Sequence, residues 1–115
     1  MVEEVRRIIL TKEELLIALD AYRRVKPDFL PAGKMLQCKQ DPGGAFVLTV
    51  ELTYGSTKQM LEFSFKQNDL LDPIVKFCIA NNIVLPLESK KSIAVEGEKF
   101  VLLIHMNSWE PEKKR

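Results

Sequence analysis

The chain has 115 residues and a mass of 13.2 kDa, with 17 Lys and Arg against 16 Asp and Glu, one His and two Cys. A third of it is Leu, Ile, Val or Phe, too apolar for a disordered chain, and the length suits a single domain over 1–115. A net charge of +1 lacks the cationic excess of most nucleic-acid and membrane-surface binders, and no stretch approaches the length of a membrane span. Acids at Glu3-Glu4 stand where a secretory signal needs cations, so a cytoplasmic protein with reduced thiols is expected.

In chain order, residues 1–7 read as a frayed start. Thr11-Lys12-Glu13-Glu14 reads as a capping box opening a helix. Leu15, Leu16, Leu19 and Tyr22 follow on one stripe, and Pro27 ends the helix because the residue before a proline is pushed out of helical geometry. The segment from Val25 to Lys34 reads as a loop with Phe29 and Leu30 tucked beneath that helix. Three strands then form a meander over 35–40, 45–54 and 58–66. Asp41-Pro42-Gly43-Gly44 suits a type II turn between the first two, and Gly55-Ser56-Thr57 reverses the chain again. Phe46, Leu48, Val50 and Leu52 alternate with Val47, Thr49, Glu51 and Thr53, as a half-buried strand requires.

A second helix opens at Asn68 or at Asp72-Pro73, with an apolar stripe of Leu71, Ile74, Val75 and Cys78, and stops at Asn81-Asn82. A last hairpin, 91–95 and 99–106, turns through Glu96-Gly97-Glu98, and residues 107–115 read as a frayed tail. The predicted fold is α+β, order α-β-β-β-α-β-β, a mainly antiparallel sheet with two helices packed on one face.

Little in the chain points to catalysis. His105, the single His, shares a strand face with Val101 and Leu103, and Cys38 and Cys78 are forty positions apart with no Cys-x-x-Cys pairing. A pocket near Cys78 and His105, holding a Cys–His dyad, is the only enzyme-like reading that these residues leave. No glycine begins a phosphate-binding loop, and one His with two isolated Cys falls short of four metal ligands, so no cofactor and no metal is expected.

Residues 12–82 resemble a double-stranded-RNA-binding domain in the order of their elements, α-β-β-β-α. The residues depart from that family, because the second helix of such a domain begins with a lysine cluster, whereas this chain has Gln67-Asn68-Asp69-Leu70-Leu71-Asp72-Pro73. A nucleic-acid surface would have to use Arg23, Arg24, Lys90 and Lys91 instead.

The last strand exceeds the ordinary pattern, being apolar on both faces: Phe100, Leu102, Ile104 and Met106 on one, Val101, Leu103 and His105 on the other. Something should cover the second face, whether Ile8-Ile9-Leu10, the tail through Trp109 or another chain. The leading expectation is therefore a small soluble interaction or adaptor domain without catalytic activity. Its contacts would be Val101, Leu103, His105, Phe29 and Leu30, and its partner a second protein or a second copy.

Overall fold

The computed structural model describes residues 3–86 and 89–107. Its elements are β1 (Glu3–Leu10), α1 (Lys12–Val25), β2 (Lys34–Gln40), β3 (Phe46–Tyr54), β4 (Thr57–Phe65), α2 (Gln67–Ala80), β5 (Lys90–Glu96) and β6 (Lys99–Asn107). The fold is α+β, and every strand pairing is antiparallel.

The architecture corrects the predicted order in two ways. A strand, β1, precedes the first helix, and the strands form two three-stranded sheets, β1-β6-β5 and β2-β3-β4. Residues 3–7 are therefore not frayed. They extend a strand in which Ile8 meets Leu102 and Leu10 meets Phe100. Its charged run Glu3-Glu4 and Arg6-Arg7 hides the apolar alternation of a strand, and the segment is ordered by the free edge of β6. The tail after Asn107, with Trp109, lies outside the described residues.

α1 starts with the expected capping box: the Thr11 hydroxyl accepts from the Glu14 N–H at 3.1 Å, and Glu14 accepts from the Thr11 N–H at 2.9 Å. Caps of this kind contribute roughly 0.5–2 kcal/mol. Leu15, Ala18 and Leu19 are its buried face. α2 opens at Gln67, close to the first of the two expected starts, and the Asp69 carboxylate accepts the Lys66 N–H at 3.0 Å. Pro73 is thus inside the helix, and the buried face is Leu70, Pro73, Ile74 and Cys78 rather than a stripe through Leu71 and Val75. The helix ends in a Schellman motif: Asn82 has φ 61°, and the Ile83 N–H reaches the Cys78 carbonyl at 2.8 Å.

The β2–β3 connection differs from a type II turn. The Gly44 N–H donates to the Asp41 carbonyl at 3.0 Å, but the positive φ falls on Gly44 (94°), one residue later than a type II turn needs. The aspartate carboxylate gives the reason, since Asp41 Oδ1 accepts the Ala45 N–H at 3.0 Å and draws the chain round by one further residue.

The helices do not lie on one face of one sheet. α1 packs against β1 and β6 on one side and β2 on the other, while α2 touches β5 and β4. One apolar core joins Leu10, Leu102 and Ile104 of the first sheet to Leu48 and Val50 of the second through Leu15, Leu19, Leu70 and Ile74. Burying each such side chain is worth about 1.5–3 kcal/mol. Phe46 and Phe100 meet across the sheets with ring centroids 6.3 Å apart. The sheets stay separate because β1 takes one side of β6, while at the outer side of β5 the Gln67 side chain of α2 accepts the Ile93 N–H at 2.6 Å.

Candidate interaction surface

The pairing of β1 and β5 with β6 turns a one-strand apolar stripe into a three-strand face. Ile8, Leu10, Leu102, Ile104 and Ile93 point into the core, so strand alternation sends their neighbours outward. The registers align these in rows: Val5–His105–Lys90, Arg7–Leu103–Ser92 and Ile9–Val101–Ala94. Val5 and Ile9 remain 52% and 50% exposed, and Leu103 between the strands is half-buried. The outer face of the other sheet is mostly polar, with rows Gln37–Thr49–Glu62, Lys39–Val47–Ser64 and Lys34–Glu51–Met60, in which Met60 is the one strongly exposed apolar side chain.

One ion pair crosses the apolar face. Arg7 stands in the Leu103 row of β1, and Glu96 is paired with Lys99 at the far end of β5. Their side chains are joined, so the bridge must pass over β6 at the row between, which is that of Val101. This explains why Val101 is only 1% exposed although it points away from the core. The bridge itself lies in water, where such pairs contribute little stability. It covers one apolar residue and leaves Leu103 beside it less covered.

The other candidate residues fall in several places. His105 is exposed at the end of the face, between Val5 and Lys90. Leu30 is 2% exposed within the core and cannot serve as a contact, which corrects its place in the surface. Phe29 is occupied internally, edge-on to Tyr22 at 4.9 Å and stacked on Phe65 at 5.1 Å. The two Ile residues expected to cover the outer face do not do so, because Ile8 turns inward and Ile9 is part of the face.

The basic residues of the nucleic-acid reading are largely engaged within the chain. Arg23 and Arg24 both pair with Asp20, at 2.7 and 2.9 Å. Lys91 donates to the Pro86 carbonyl at 3.3 Å and to the Ser89 hydroxyl at 3.0 Å. Lys90 is exposed beside His105, on the opposite side of β5 from Lys91.

A Cys–His dyad does not form. Cys38 and Cys78 are buried in the core, whereas His105 is exposed on the other side of β6. Burial pushes the Cys38 thiol up to about 12 and raises that of Cys78 as well, the opposite of what a nucleophilic thiolate needs. A depression of about 420 Å³ lies elsewhere, lined by Tyr22, Lys26, Pro27, Asp28 and Phe29. There the Tyr22 hydroxyl donates to Asp72 at 2.6 Å, tying α1 to α2, and Lys26 stands over the Tyr22 ring at 5.5 Å. Among the described residues no group of three or more His, Cys, Asp or Glu is placed to hold a metal ion, and no helix is long and apolar enough to cross a membrane.

Sequence reasoning missed Val5, Arg7, Ile9, Ser92, Ala94 and Glu96 as parts of this face. A signal was present in β1, where Val5, Arg7 and Ile9 alternate with Arg6, Ile8 and Leu10, but which set faces the core depends on the partner strand. No protein-family model, curated protein or solved structure matches the chain.

Proposed function

We propose that the chain is a non-catalytic protein-interaction domain that binds a partner through the outer face of β1-β6-β5, with Leu103 at its centre. The observation that carries this reading is the contrast between the two outer faces: one is mostly polar with a single strongly exposed apolar side chain, Met60, while the other presents Val5, Ile9 and Leu103 together, and no described helix crosses it. Exposed apolar side chains gathered on one face favour docking of a partner over continued contact with water. Arg7, Glu96, Lys90 and His105 border the apolar residues and supply the polar rim that a specific interface uses.

The test places a photo-crosslinking amino acid at Ser92, within this face, and in a second protein at Ser64, on the outer face of the other sheet. Irradiation in cell extract should give a discrete adduct from position 92, abolished by Leu103→Glu, and none from position 64. Equal adducts from both positions, or an adduct indifferent to Leu103→Glu in a folded protein, would overturn the assignment.

A further inference from the structure

We propose that two copies of this chain pair through β1, edge to edge and antiparallel, about a twofold axis at Val5. This contact uses a strand edge rather than the sheet face assigned above and does not depend on that face having a partner.

β5 and β6 are joined by a two-residue turn that closes on the pair Glu96 and Lys99, so the odd residues of β6 exchange hydrogen bonds with β5. The even ones, Phe100 to Met106, then face β1 and bond to Leu10, Ile8, Arg6 and Glu4. An independent contact agrees with this parity, because the Ile93 N–H, opposite Leu102, turns away from β6 to reach Gln67. The N–H and C=O groups of Val5, Arg7 and Ile9 therefore line the outer edge of β1. That edge is regular, its register to β6 running unbroken from Glu3 to Leu10. β2 has a register shift between Met35 and Gln37, and the edge of β5 is met by Gln67. Regular, uncovered edges are templates for pairing with another chain.

Charged residues usually protect an edge from pairing, but here they are arranged to match their own copy. The run Glu3-Glu4-Val5-Arg6-Arg7, read against itself in the antiparallel sense with Val5 opposite Val5, sets Glu3 opposite Arg7 and Glu4 opposite Arg6. All four opposed positions carry unlike charges, the favourable cross-strand arrangement; within one chain Arg7 is joined to Glu96 and Arg6 donates to the Val84 carbonyl at 3.1 Å, so pairing exchanges these exposed contacts for ones between the copies. Neighbouring registers that keep the core faces on one side put Arg6 against Arg6 or Glu4 against Glu4. This register also brings the outward backbone groups of Val5 and Arg7 into hydrogen-bonding positions, giving about six interchain bonds. The product is one six-stranded antiparallel sheet whose two outer faces are continuous. The edge of β4 offers a weaker form of the same match, Lys58 opposite Glu62 about Met60, with half the opposed charges.

The experiment is sedimentation equilibrium of the full chain over a range of concentrations. Wild type should show a monomer–dimer equilibrium. Val5→Pro removes an outward N–H and no β1–β6 hydrogen bond. It deletes two symmetry-related bonds and should raise Kd about 10- to 100-fold at one unit or so of hydrogen-bond strength each. A charge exchange guards against misfolding of that variant: Glu3→Arg/Glu4→Arg and Arg6→Glu/Arg7→Glu should each be monomeric alone and form a heterodimer when mixed. Leu103→Glu should leave self-association unchanged. A wild type that stays monomeric at about millimolar concentration, a dimer indifferent to Val5→Pro and to charge reversal, or a dimer removed by Met60→Pro instead would each refute the pairing.

Discussion

Gly33→Ala tests how tightly the loop after α1 is laid onto β3. A Cβ added at Gly33 would stand 2.6 Å from Leu52 Cδ2, 2.7 Å from Val50 Cγ1 and 2.9 Å from the Glu51 carbonyl oxygen. None of these can retreat cheaply, since Val50 is 0% and Leu52 6% exposed, and the carbonyl belongs to the central strand of its sheet. Overfilling a packed site costs roughly 1–3 kcal/mol. Against this stands a gain of about 0.4–1 kcal/mol, because alanine restricts the unfolded chain and Gly33 does not have the positive φ that would penalise a side chain. The net expectation is a loss of about 1–2 kcal/mol, or a Tm lowered by about 4–8 °C for a domain of this size. Urea unfolding followed by circular dichroism would measure it. Adding Leu52→Val removes the nearest methyl group, so the double variant should lose less than the sum of the two single variants. A neutral or stabilising Gly33→Ala, or strict additivity with Leu52→Val, would refute the close approach.

The thiols and two ionisable groups give further predictions. Cys38 and Cys78 should resist a thiol reagent at pH 8 in native protein and react only as urea opens the core; rapid stoichiometric labelling would contradict their burial. The hydrogen bond from Arg23, aided by the charge of Arg24, holds the Asp20 carboxyl below its ordinary value of 3.8. Its contribution is present above that value and lost as pH falls through the lower folded-state value, so Asp20→Asn should flatten the acid side of a stability-versus-pH curve. Donation to Asp72 raises the Tyr22 hydroxyl above 10.0. That contribution is present below this value and lost as pH rises through the folded-state value, and Tyr22→Phe should flatten the alkaline side. Urea midpoints measured across pH decide both, and unchanged curves would deny the two contacts an energetic role.

The legibility of the fold follows the range of the interactions involved. The capping box at Thr11, the alternation of β3, the turn glycines Gly55 and Gly97 and the left-handed stop at Asn82 are set by residues a few positions apart, and each appears where the local pattern placed it. The departures arise where distant segments compete. Of the two expected helix starts, the one at Asp72-Pro73 is passed over: Asp69 caps the chain at Lys66, six residues earlier and close to the other expected start at Asn68, and the burial of Leu70 and Pro73 offsets the lost hydrogen bond. Leu30 was legible as an apolar loop residue tucked beneath the first helix, and its burial at 2% exposure excludes the contact role also expected of it.

The candidate face divides in the same way. That β6 would be apolar on both sides is written in its composition, as is the self-matching charge of Glu3-Glu4-Val5-Arg6-Arg7. Composition also determined that the chain can bury a core and that its one His and two Cys are far apart in sequence. Tertiary structure alone decided that β1 would join β6, that Arg7 would reach Glu96 across Val101, and that His105 would stand on the far side of β6 from both thiols. The reason is physical: a strand carries its alternation in its own residues, but which of its faces meets water and which of its edges stays open are properties of the strand that pairs with it.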